Sequence, residues 1–99
     1  MKLREIAHSR AGDKGDTSNI SVIAFDAKDY PLIVERVTAE RVAAHFAKVA
    51  TGPVRRYELP NIAALNFVLE GALGGGVTRA LTLDPHGKSL SSLMLDLEI

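Results

Sequence analysis

The sequence predicts an α+β two-layer sandwich, a mixed sheet with two helices on one face, and three observations lead there. Segments of strand character alternate with two segments whose apolar residues recur at helical spacing. Two strand-helix-strand connections of this length favour right-handed crossovers, and successive crossovers in one direction put both helices on one side of the sheet. The C-terminal run sets Leu93, Leu95, Leu97 and Ile99 against Met94, Asp96 and Glu98, the alternation of a strand buried on one face only. The other face of the sheet then meets solvent or a partner, which makes it a natural docking surface.

Taken in order, Lys2 to His8 reads as a first short strand, followed by a charged loop from Ser9 to Ser18. Asn19 to Asp26 reads as a central strand, because Ile20 and Val22 on one face and Ile23 and Phe25 on the other are all apolar. Lys28 to Val37 holds a shorter helix with Pro31 in its first turn, where a missing N–H does no harm. Thr38 then caps a helix whose inner face is Val42, Phe46 and Val49. Thr51, Gly52 and Pro53 end it, with Gly52 as a left-handed cap.

Val54 to Leu59 is the next strand, and adjacent Arg55 and Arg56 put a charge on each of its faces, which marks an edge. From Pro60, with Asn61 as cap, the stripe Ile62, Leu65, Leu69 and Leu73 predicts a second core helix that Gly74, Gly75 and Gly76 terminate. Thr78 to Leu83 reads as a strand, Asp84 to Gly87 as a type I turn, and Ser89 to Ser92 as one helical turn before the final strand.

Composition narrows the function. The 99 residues form a single domain, residues 1–99, without repeat or linker. Apolar residues make up 46% and charged residues 24%, which fits an ordinary core. Twelve basic residues balance twelve acidic ones, so no basic face for nucleic acid is expected. There is no cysteine, hence neither a disulfide framework nor a thiolate metal site. MKLREIAHSR lacks the apolar region of a signal peptide and no run reaches membrane-spanning length, so a cytoplasmic location without membrane contact is the expectation. No cofactor and no metal site are expected.

The segment RAGDKGD carries the strongest functional hint. Gly12 and Gly15 free the backbone to approach a ligand, and Arg10 and Lys14 supply positive charge, a combination suited to a carboxylate or a phosphate group. It is not a Walker A loop, because the spacing differs and a strand follows. Asp13 and Asp16 offer too few oxygen ligands for calcium. The alternative is a solvated hairpin loop whose acids and bases pair with one another. Gly74, Gly75 and Gly76 invite a second ligand loop, against the commoner reading of a tight helix-to-strand turn.

The three histidines, His8, His45 and His86, have no metal-binding spacing. His45 beside an apolar stripe is structural, whereas His8 adjoins the charged segment. With Asp13 or Asp16, and with Ser9 or Ser18 nearby, His8 has the ingredients of acid-base chemistry but no nucleophile elbow around it. Asn66 reads as an exposed amide on a helix face.

Three blocks, SRAGDKGDTSNISVIAFD, GPVRRYELPNIAALNFVLEGALGGGVTRAL and DPHGKSLSSLMLDLEI, resemble the carboxyl-terminal domain of the acyclic terpene utilisation (AtuA) family, and the resemblance covers nearly the whole chain. It implies a ferredoxin-like fold, in a domain that is often fused behind a larger one. It further implies a small subunit that pairs with an AtuA-like large subunit, in bacterial catabolism of terpenoid or branched acids carried as acyl-CoA thioesters. It supplies no catalytic residue. The expectation is an accessory subunit that helps form an anionic ligand site from Arg10, Gly12, Lys14, Gly15 and Gly74 to Gly76. The alternatives are a stand-alone acid-base enzyme using His8 with Asp13 or Asp16, and a structural homo-oligomer.

Overall fold

The computed structural model describes residues 1–14, 17–47, 52–71 and 88–99, and for Asp13, Lys14, Lys88 and Ser89 the backbone alone. Its strands are β1 (Ala7–Lys14), β2 (Thr17–Ala24), β3 (Val54–Leu59) and β4 (Ala64–Glu70). They lie side by side in the order β1-β2-β4-β3, and every neighbouring pair is antiparallel. The α+β sandwich is therefore as expected, but the described sheet is antiparallel rather than mixed.

Two-residue periodicity decides which face is inside. Ile20 and Val22 of β2 stand opposite Phe67 and Leu65 of β4, and all four are fully buried. The helices α1 (Tyr30–Arg36), α2 (Ala39–His45) and α3 (Lys88–Leu95) cover this face. They contribute Ile33, Val42, Leu90 and Met94 to the same core, joined by Val37, Phe46 and Leu97 just beyond the helix ends. The helix caps follow the sequence: Thr38 Oγ1 accepts from the Arg41 amide at 3.1 Å, and Pro31 sits in the first turn of α1.

Side chains lock the helices to the sheet. Arg56, on the inner face of edge strand β3, donates through Nη1 to the carbonyls of Val34 and Val37 at 2.7 and 3.0 Å, closing the C-terminal end of α1. The Tyr30 hydroxyl donates to the Ala64 carbonyl at 3.0 Å, and His45 Nε2 donates to the Leu93 carbonyl at 2.6 Å. His45 is thus a strut between α2 and α3. Arg55, its side chain on the opposite face of β3 from Arg56, meets Glu70 at 3.6 Å.

Four expectations about elements need correction. The first strand begins at Ala7, after a 3-10 turn at Leu3–Glu5, and it runs through most of the segment read as a charged loop. Small inward residues, Ala7, Ser9 and Ala11, give that strand no apolar signature. The helix expected from Pro60 is instead a 3-10 turn, Pro60–Ile62, leading into central strand β4. Leu65, Phe67 and Leu69 alternate with Asn66, Val68 and Glu70, so the same letters satisfy a strand period and a helical stripe, and two flanking strands decide between them. The C-terminal strand is α3, which buries Leu90 and Met94 one turn apart, and only Lys2 and Glu98 form a β-bridge there.

Gly52, finally, is not the left-handed cap of α2, which ends at His45 with Phe46 as its cap. Its amide donates to the Glu70 carbonyl at 2.9 Å, and a Cβ on it would lie 2.5 Å from that oxygen. Close approach is what excludes a side chain. The expected strand Thr78 to Leu83, the turn Asp84 to Gly87 with His86, and Val49 and Thr51 lie outside the described residues.

Candidate functional site

Antiparallel register arranges the face of the sheet that no described helix covers into rows. One row runs His8, Ile23, Ala64, Leu59 across the four strands, the next Arg10, Ser21, Asn66, Tyr57, and the third Gly12, Asn19, Val68, Arg55. The first row is mainly apolar, and Phe25, just beyond it, is 64% exposed and stacks on His8 with ring centroids 5.4 Å apart. The second and third rows turn polar on the β1–β2 side.

There the face sinks into a depression of about 590 Å³, lined by Arg10, Ala11, Gly12, Thr17, Asn19, Ser21 and Val68. Arg10 projects from an outer strand, is exposed, and takes part in none of the ion pairs among the described residues. Its carbonyl accepts the Ser21 hydroxyl at 3.4 Å, and the Gly12 carbonyl accepts the buried Ser18 hydroxyl at 3.3 Å, so serine side chains tie β1 to β2 beneath the depression. Gly12 has open space where a Cβ would stand. A guanidinium, an amide and the Thr17 hydroxyl at one hollow form the donor set that a carboxylate accepts, and arginine can do so through two parallel bonds.

The structure brings Arg10 and Gly12 together. Lys14 closes β1 opposite Thr17, so its backbone borders the same hollow, while Gly15, Asp16, Gly74, Gly75 and Gly76 lie outside the described residues. His8 and Asp13 are not brought together. Both belong to one extended strand, and five residues at ~3.4 Å each set them ~17 Å apart. The Ser9 hydroxyl is buried without a hydrogen-bond partner among the described residues, and Ser18 is buried too, so neither hydroxyl stands on the open face with His8. No group of three potential metal ligands occurs among the described residues. No helix there is long and apolar enough to cross a membrane.

Thr17, Asn19, Ser21 and Val68 line the depression, and the sequence reading did not select them. A signal was present, because Thr17, Asn19 and Ser21 alternate with Ser18, Ile20 and Val22, a polar stripe at period two. Starting the strand at Asn19 cut that stripe short.

A family model described as AtuA ferredoxin-like domain matches residues 1–99. No curated protein and no solved structure matches the chain.

Proposed function

The chain belongs to the AtuA ferredoxin-like domain family, and from that premise we propose that it is a cytoplasmic accessory component. It pairs with an AtuA-like large subunit in bacterial catabolism of terpenoid or branched acyl-CoA compounds, and its own part is to hold an anionic group of the ligand. The observation that carries this reading is the exposed Arg10 guanidinium, without an ion pair among the described residues, beside a depression whose other polar lining is Thr17, Asn19 and Ser21. Family membership supports the partner and the metabolic setting. The geometry supports the anion.

A carboxylate fits this hollow better than catalysis does. An acid-base enzyme needs its groups within hydrogen-bond reach of the same proton, and His8 faces Phe25 at the far end of the strand from Asp13. Isothermal titration with isovalerate and isovaleryl-CoA tests the binding. Arg10→Ala is expected to weaken it by up to about fivefold, since an ion pair at an exposed guanidinium contributes up to about 1 kcal/mol. Equal affinity in wild type and variant would refute the role of Arg10. Co-purification with the large subunit from a native extract tests the partnership, and turnover by the chain alone would favour the enzyme instead.

A further inference from the structure

We propose that the open sheet face is a two-fold interface with a second copy of this chain, and that the second copy roofs the depression with its own Arg55 and Tyr57. The dimer stands on the face itself. Only the content of the shared cavity rests on the carboxylate reading above.

The exposed apolar side chains of this face are not scattered. Phe25 and Leu59 lie at one end of the sheet, at 64% and 41% exposure, with Tyr57 one row further in at 48%, and Ile62, at 60%, is in the turn between β3 and β4 at the same end. The depression lies toward the other end. Two copies can pack face to face around an axis along the strands or across them, and this segregation distinguishes the two. An axis across the strands lays the apolar end of one copy on the polar end of the other. It also stacks β1 on β1, basic edge on basic edge. An axis along the strands keeps apolar on apolar and sets β1 of one copy over β3 of the other.

Under the strand-parallel axis the rows pair favourably. Arg10 comes over Tyr57 of the second copy, a cation on an aromatic face, and the symmetry makes that contact twice. His8 with its stacked Phe25 meets the other copy's Leu59, and Gly12 meets its Arg55. Because Gly12 offers open space, that second guanidinium, which keeps its 3.6 Å pair with Glu70 of its own chain, has room at the rim of the hollow, where with Arg10 it brackets a carboxylate. The right-handed twist of both sheets inclines the strands by ~30° without exchanging the ends.

The area suffices. Four strands ~4.8 Å apart and eight residues of ~3.4 Å give a footprint of ~500 Å². Side-chain relief, together with Phe25 and Ile62 beyond the last row, carries the accessible area to the ~600 Å² per partner at the lower bound of specific interfaces.

Light scattering coupled to size exclusion, on the whole chain at several concentrations, tests the interface. The wild type is expected at twice the 10.6 kDa of the chain. Leu59→Asp and Phe25→Asp are expected at the single mass with unchanged far-ultraviolet circular dichroism, and Glu35→Arg, exposed on α1 at the helical layer, to remain dimeric. A monomeric wild type, or a dimer broken by Glu35→Arg and not by Leu59→Asp, overturns the proposal. Isovalerate titration separates the two readings. A dimer that does not bind isovalerate overturns the ligand and leaves the interface, and a monomer that binds it does the reverse. Binding by wild type and by the Leu59→Asp monomer with equal affinity removes the roof.

Discussion

Two glycines show how differently one residue type can be required. Gly12 has nothing within 4 Å of where a Cβ would stand, so sterics do not demand it, and its strand conformation would favour a side chain. Gly12→Ala is therefore expected to fold with equal or slightly greater stability, about 0.5 kcal/mol, while isovalerate affinity falls because a methyl group enters the hollow. Urea denaturation and calorimetric titration on the same sample check both halves. Gly52 is the opposite case, since its Cβ would lie 2.5 Å from the Glu70 carbonyl oxygen. Gly52→Ala must push β3 away from β4, at a cost of about 1 to 3 kcal/mol, read as a lower urea midpoint. The sequence marked both positions as special. It could not show that one serves a hollow and the other a close backbone contact, because that depends on Glu70, a residue 18 positions away.

At the scale of elements, what was legible depended on whether a segment's pattern admitted one period or two. Thr38 before Val42 and Phe46, Pro31 in a first turn, and the bounds of Val54–Leu59 carry local signals, and these elements form where read. The segments that became β4 and α3 satisfy strand and helix periods at once; pairing with β2 and β3 made the first a strand, and burial of Leu90 and Met94 one turn apart goes with the helix in the second. Edge strand β3 was recognisable from its two arginines, which do face opposite ways: Arg55 toward Glu70, and Arg56 toward the end of α1. Arg56 is the more consequential, because it satisfies two carbonyls that the helix leaves open. Arg56→Met keeps the stem and removes the donors, and is expected to lower stability by about 1.5 to 3 kcal/mol. Chemical denaturation measures the loss. Hydrogen exchange is expected to place it at the C-terminal turn of α1.

For the whole molecule, the division into a covered face and an open one governs both stability and binding. The covered face packs the buried apolar strand residues against three helices of the described chain, and the depression lies on the opposite face. Binding is consequently assigned to the open face, where charge and hydroxyls concentrate on the β1–β2 side although the chain as a whole is neutral. The most direct measurement is an amide chemical-shift map of the isotopically labelled protein titrated with isovalerate. Saturable shifts are expected at residues 10 to 12 and 17 to 21 and at Val68, with α1 and α2 unmoved. Shifts centred on the helical layer, or none at millimolar ligand, would contradict an anion-holding sheet face.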